Sequence, residues 1–322
     1  MKQTYIPILI SILLTISIVP IHTNAQTTST TIICTNSILA DFTSNIISKN
    51  VTIDYIMPAG ACPSHFDTKP SDIALIASAD IIISLGIEPW VESLINSSEN
   101  TDVHQIICTG LGEWNIPSGA TLFVQKISTE LKQILPDYTT TITMNTQNYL
   151  NEINSTAQTL QTMIETNGHI NKTIICMKWQ QEFLEWLGLH ILYSYPPPES
   201  LSTQDELEII NLATQHQVYA VIDNLQSGTE FGAHIAAESG ATHVIFNNFP
   251  KAVPNTETYL EMITYNTEQL INGINTYEYK QGDLASLEEE LTTIQLQRNT
   301  LLVLALIFIL STILLFIMYK RK

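Results

Sequence analysis

VTIDYIMPAGACPSHFDTKPSDIALIAS, residues 51–78, changes character twice along its length. It opens as a β-branched, apolar run suited to a buried strand. Pro58, Gly60 and Pro63 then break any regular pattern in a segment that also carries Cys62, His65 and Asp67. Pro70-Ser71-Asp72 closes the segment as a helix start. Proline is pre-set for the first helical turn, and a Ser or Asp oxygen can accept from one of the unpaired amides there. Strand, long loop, helix is half of a parallel crossover unit, and the same half-unit recurs on both sides of this stretch.

Upstream, TTIICT (30–35) precedes SILADFTSNIIS; downstream, ADIIISL leads to EPWVESLI and then VHQIICT (103–109). A second set follows: KTIICMK with QQEFLEWLG, LHILYSY with TQDELEIINLATQH, VYAVIDN with EFGAHIAAESG, and THVIFNN with TETYLEMITYNTEQLINGI. Short apolar runs alternating with amphipathic ones predict parallel strands with crossover helices. Between the sets, residues 118–167 hold no strand-like run; Pro136-Asp137 divides them into two helices, the second long. The threonines at 139–143 weaken that second helix locally. The expected fold class is therefore α/β: two lobes, each a parallel sheet flanked by helices, joined by a long connecting helix, with the ligand cleft between them at the strand C-termini.

The ends set the compartment. Lys2, the apolar run IPILISILLTISIVPI and Thr23-Asn24-Ala25 have the charged, apolar and small-residue regions of an export signal. LLVLALIFILSTILLFIMY, residues 301–319, is uncharged, and 1.5 Å per residue carries it roughly 28 Å, about one hydrocarbon thickness. Lys320-Arg321-Lys322 behind it predicts a cytoplasmic tail. Before it, Leu284, Leu287, Leu291 and Ile294 form a stripe at helical spacing, read as a stalk. The expected divisions are a signal peptide (1–25), an N-terminal lobe (26–134), a connecting helix (135–170), a C-terminal lobe (171–280), a stalk (281–300), an anchor (301–319) and the tail (320–322). The main domain is then extracytoplasmic, tethered to the cell membrane by one C-terminal helix. A formal net charge of −18, from 13 basic and 31 acidic side chains, argues against nucleic acid as a partner. Cys34, Cys108 and Cys176 each end an apolar run, so packing, pairing and a common cleft all stay open for them; no CxxC suggests a zinc knuckle.

The loop and its flanks resemble the solute-binding proteins of zinc- and manganese-type ABC importers. SILADF after the first strand, then PAGACPSHFDTKPSD set against that family's P-x-G-x-x-P-H-x-[YF]-x-P-x-P-x-D, then GIEPW, carry the likeness; WLGLHI, VYAVIDN, IAAESGATHVIF and YLEMITYNTEQLINGI continue it in order. The resemblance implies two lobes, a rigid connecting helix, a divalent metal ion (zinc, manganese or iron class) as transported ligand, and a permease with its ATPase as partners.

Transferred residue by residue, the family's metal ligands fit unevenly. The first position falls on Ser64, with His65 one place later and Asp67 available to orient an imidazole. The second has no histidine in GEWNIPSGA (112–120). The third falls on Met177 and the fourth on Asn248. His65, Met177 and Asn248 are thus the implied metal set, with Cys62, Asp67, Glu113, Cys176, Gln181 and Asp223 as further cleft candidates. Other readings stay open: a metal chelate or organic solute as ligand, gripped by polar groups and Trp114 or Trp179; an exported thiol- or metal-dependent enzyme using Cys176, His65 and Asp223; and an adhesion or sensing protein that keeps the fold without the site. No nucleophile–base pair, phosphate-cradling glycine loop or paired carboxylates point to an enzyme.

Overall fold

The computed structural model describes residues 30–47, 50–110 and 112–321; the expected signal, 1–25, lies outside them. The first lobe contains β1 (Thr31–Cys34), α1 (Ser37–Ile46), β2 (Thr52–Tyr55), α2 (Pro70–Ala77), β3 (Ile81–Ser84), α3 (Val91–Ser97) and β4 (His104–Ile107). Its sheet is parallel throughout, in the order β2-β1-β3-β4, with Ile32 opposite both Ile53 and Ile81. The two inner strands are the most apolar, TIIC and IIIS, and IIIS is buried along its whole length. A strand covered by helices on both faces has no solvent side to reserve for polar residues.

α4 (Pro117–Ile134) and α5 (Thr139–Thr166) follow as an antiparallel pair divided at Pro136. Ile142, Tyr149, Ile153, Leu160 and Ile164 form the buried stripe of α5, about 42 Å long. The threonines enter this helix from its first residue. The Thr143 hydroxyl returns a bond to the Thr139 carbonyl at 2.8 Å, and Thr139 does the same to Pro136. These two hydroxyls are satisfied by local carbonyls while the apolar stripe is buried, so packing overrides propensity.

The second lobe comprises β5 (Thr173–Met177), α6 (Gln181–Trp186), β6 (His190–Tyr195), α7 (Thr203–Gln215), β7 (Ala220–Asn224), α8 (Glu230–Ser239) and β8 (Thr242–Phe246), with the parallel order β6-β5-β7-β8. Strand order in the first lobe is thus repeated in the second, and the two-lobed α/β reading holds.

α9 (Tyr259–Lys320) starts against both lobes and then leaves them. Its Tyr259 ring meets Phe42 of α1 edge-on at 5.2 Å, while Gly273 lies against Val244 of β8. A Cβ at Gly273 would stand 2.4 Å from Val244 Cγ2, so glycine lets helix and strand approach this closely. Tyr277 is its last buried residue; every described residue beyond it is exposed. Leu284, Leu287, Leu291 and Ile294 are all more than half exposed, and the apolar run 301–319 is bare. Among the described residues α9 is the one helix long and apolar enough to cross a membrane, by length and composition.

Candidate functional site

Parallel strands deliver their following loops to one edge of a sheet, and here the two edges face each other across a cavity of about 600 Å³. Lobe one contributes Cys62, Pro63, Ser64 and His65 after β2, and Gly112 and Trp114 after β4. Lobe two contributes Trp179 after β5, Pro197 and Glu199 after β6, Asn224, Gln226 and Ser227 after β7, and Asn248 and Phe249 after β8.

The β2 loop is held in place locally. Pro63–His65 form a single 3₁₀ turn, closed by the His65 amide on the Cys62 carbonyl at 3.2 Å. Trp90 donates its indole N–H to the Pro63 carbonyl at 3.0 Å, and its ring meets Phe66 edge-on at 5.1 Å. Asp72 anchors the loop's far end. Its carboxylate accepts the Lys69 amide at 2.7 Å, reaching back to the residue before the helix. This leaves the His65 side chain exposed at the cavity wall.

Across the cavity the lining is an amide network. Asn248 Oδ1 accepts from Gln180 Nε2 at 2.8 Å and from Asn115 Nδ2 at 3.2 Å, while its backbone carbonyl takes the Trp114 indole N–H at 2.9 Å. Asn115 also donates to the Trp179 carbonyl at 3.4 Å. Gln226 Oε1 accepts the Asn248 amide at 3.2 Å; its Nε2 donates to Asn247 at 3.0 Å and to the Ala59 carbonyl of lobe one at 2.9 Å. Turning the three linked amides over would bury unpartnered NH₂ groups and break the bond to Trp179. The Asn248 carbonyl oxygen is therefore the end turned inward, and its NH₂ is the end presented to the cavity.

Of the implied metal set, His65 and Asn248 reach the cavity, and Cys62 lies beside His65. Met177 does not. It is buried in the second core with Ile175, Tyr195 and Val221. Cys176, its neighbour, is fully buried as well. Asp67 is exposed outside the cavity lining, and Glu113 lines a separate hollow with Cys108 and Lys126. Gln181 donates to Glu185 at 2.8 Å on α6. Asp223 is wholly buried and fully engaged, accepting the Tyr195 hydroxyl at 2.5 Å and pairing with His243 Nε2 at 2.7 Å.

The cysteines are free, and Cys34, Cys108 and Cys176 are packing residues. Burial pushes the Cys108 thiol up to about 12 and those of Cys34 and Cys176 higher still, so none supplies a thiolate at neutral pH. An enzyme built on Cys176, His65 and Asp223 is not assembled, because only His65 of the three faces the cavity. Trp114 is a buried wall whose ring meets Phe123 edge-on and Phe249 at a tilt, whereas Trp179 is half-buried at the lining. Asn115, Gln180, Gln226 and Phe249 were not legible as site residues from chemistry. Their signal is position alone, since each follows the C-terminal end of a strand.

Comparison with known proteins agrees with this fold. Residues 32–273 match the family model described as zinc-uptake complex component A, periplasmic. The manganese-binding lipoprotein MntA of Halalkalibacterium halodurans is 21% identical over 269 residues, covering 76% of this chain and 88% of that protein. The manganese ABC transporter substrate-binding lipoprotein scaA of Streptococcus gordonii is 26% identical over 156 residues, covering 41% and 50%. Among solved structures, the Mn-bound periplasmic metal-binding protein of Candidatus Liberibacter asiaticus superposes with a TM-score of 0.64 at 18% identity, over 76% of this chain and 100% of that one, a likeness of fold. These relatives carry the names of binding proteins, consistent with a chain that is not an enzyme.

Proposed function

We propose, from the premise that this chain belongs to the periplasmic zinc-uptake complex component A family, that it is the membrane-tethered, extracytoplasmic receptor of an ABC importer. It captures a metal cargo of the zinc, manganese or iron class between its lobes and presents it to a permease driven by an ATPase. The observation that carries this reading is the cavity itself. Loops from the strand C-termini of two sheets converge on it, with the His65 imidazole on its wall. His65 is the protein's direct ligand to the cargo.

Several features support the tether. The helix that begins against both lobes at Tyr259 continues unbroken to Lys320, through a long exposed stretch and an apolar run of membrane length. On this reading α9 is at once part of the domain, a stalk and an anchor. A receptor held in this way diffuses in two dimensions near its permease, which raises their mutual effective concentration.

The test is cellular metal content in a strain deleted for the chain, complemented with the full chain or with a copy ending at residue 300. Chain-dependent accumulation of one metal, with the shortened copy released from the membrane fraction, is the expected result. Unchanged content of all three metals in the deletion strain, under metal limitation, would remove the receptor reading.

A further inference from the structure

The donor set does not fit a bare ion. A divalent first-row metal is normally enclosed by at least three imidazole, thiolate or carboxylate groups at about 2.0–2.3 Å. Cys62, His65 and Glu199 all border the cavity, yet among the described residues no three His, Cys, Asp or Glu side chains stand where they could share one ion. The implied third position, Met177, is in the core. The implied fourth, Asn248, has its only coordinating atom committed to Gln180 and Asn115.

The cavity's size and walls point elsewhere. About 600 Å³, walled by Trp179, Phe249, Pro63 and Pro197 with a few polar groups between them, is the build of a small-molecule site. An ion held by protein side chains needs far less room. Ionisable groups are sparse on the lining, so a cargo carrying a large net charge would be desolvated without compensation.

We infer that the cargo is a near-neutral complex of a divalent metal with a small carboxylate-bearing chelator, bound as one unit. The chelator supplies most of the metal's ligands and lies against Trp179, the half-buried aromatic of the lining. Its carboxylate accepts from the Asn248 NH₂, and His65 takes one open position on the metal. This rests on the receptor reading above and specifies what the receptor holds.

The experiment is native mass spectrometry and calorimetry on the full chain in lipid nanodiscs. The probes are zinc or manganese alone, each ion with iminodiacetate, histidine or citrate, and each chelator without metal. At least one complex should bind at least 100-fold more tightly than its ion alone, with an adduct mass of metal plus chelator. His65→Ala and Trp179→Ala should each weaken it tenfold or more without lowering the melting temperature of the unliganded chain; Trp179→Phe should retain most of the binding. A bare ion binding as tightly as any complex overturns the inference and leaves the receptor reading intact. A chelator binding equally well without metal overturns it in favour of an organic solute. Failure of every complex on a cooperatively melting chain also overturns it, while chain-dependent metal accumulation would continue to support the receptor.

Discussion

The first amide of α9, on Tyr259, donates to Asp41 Oδ2 of lobe one at 3.0 Å, although the two residues lie 218 positions apart. The Tyr149 hydroxyl of the connecting helix reaches the same oxygen at 3.0 Å. One buried carboxylate thus gathers lobe one, the long helix and the start of α9. It also stands at the positive end of that helix, where a negative charge is favoured.

Burial outweighs those bonds and raises the Asp41 carboxyl from its usual 3.8 to about 6. Because the folded value is the higher one, the native state holds the extra proton. The contribution to stability is full below about pH 4 and is lost as the pH rises through 6, a difference of about 3 kcal/mol. Asp41→Asn should flatten the stability profile between pH 4 and 6 relative to the parent, as read by urea denaturation at fixed temperature. Parallel profiles for the two proteins would rule out Asp41 as the titrating group.

Gly273 seats α9 on β8. In Gly273→Ala the new methyl meets Val244, and overpacking of this kind costs about 1–3 kcal/mol, partly offset by the roughly 1 kcal/mol gain in helix propensity. A lower melting temperature that returns in Gly273→Ala/Val244→Ala is the expected pattern. A single variant as stable as the parent would show that the helix can move off the strand freely.

Gln226 joins the lobes through Ala59 while holding Asn247 and the Asn248 amide. Gln226→Ala removes all three bonds and should destabilise the chain by about 1–3 kcal/mol. Amide hydrogen exchange should also quicken in residues 58–66. Exchange that quickens only around Asn248, with the lobe-one loop unchanged, would mean that the clamp acts within lobe two.

Asp223→Ala removes the Tyr195 hydroxyl's short acceptor and leaves it only the Ile222 carbonyl at 3.4 Å, and a poorly satisfied buried donor costs about 1–3 kcal/mol beyond the lost packing. Asp223→Ala combined with Tyr195→Phe should recover part of that loss. Thermal melts of the four proteins in the double-mutant cycle give the coupling directly, and strict additivity would deny that the short contact contributes to stability.

Much of the fold could be read along the chain because its signals are local. Runs such as IIIS and TIIC can only be strands covered on both faces, and the helices between them carry their own start signals. Asn36 accepts from Leu39 at 3.1 Å, and Ser202 and Asp205 cap each other reciprocally. The exposed leucine stripe and apolar run of α9 were legible for the same reason: nothing in the domain packs on them to alter their meaning.

The site was legible only in part. His65 and Cys62 were found because a turn-rich loop between a strand and a helix has few places to put a side chain except outward. Met177 and Cys176 were not separable from true lining residues by spacing. They end a strand at the cleft edge, but the helices packed over that strand cover both of its faces. Asn248 reaches the cavity, yet which of its atoms faces that space depends on amides 68 and 133 residues away. Sequence alone determined the strands, helices, lobes and membrane-length run, since backbone propensity and apolar periodicity act over a few residues. Tertiary structure alone decided the donor set, because a polar atom's availability depends on whichever distant group has already claimed it.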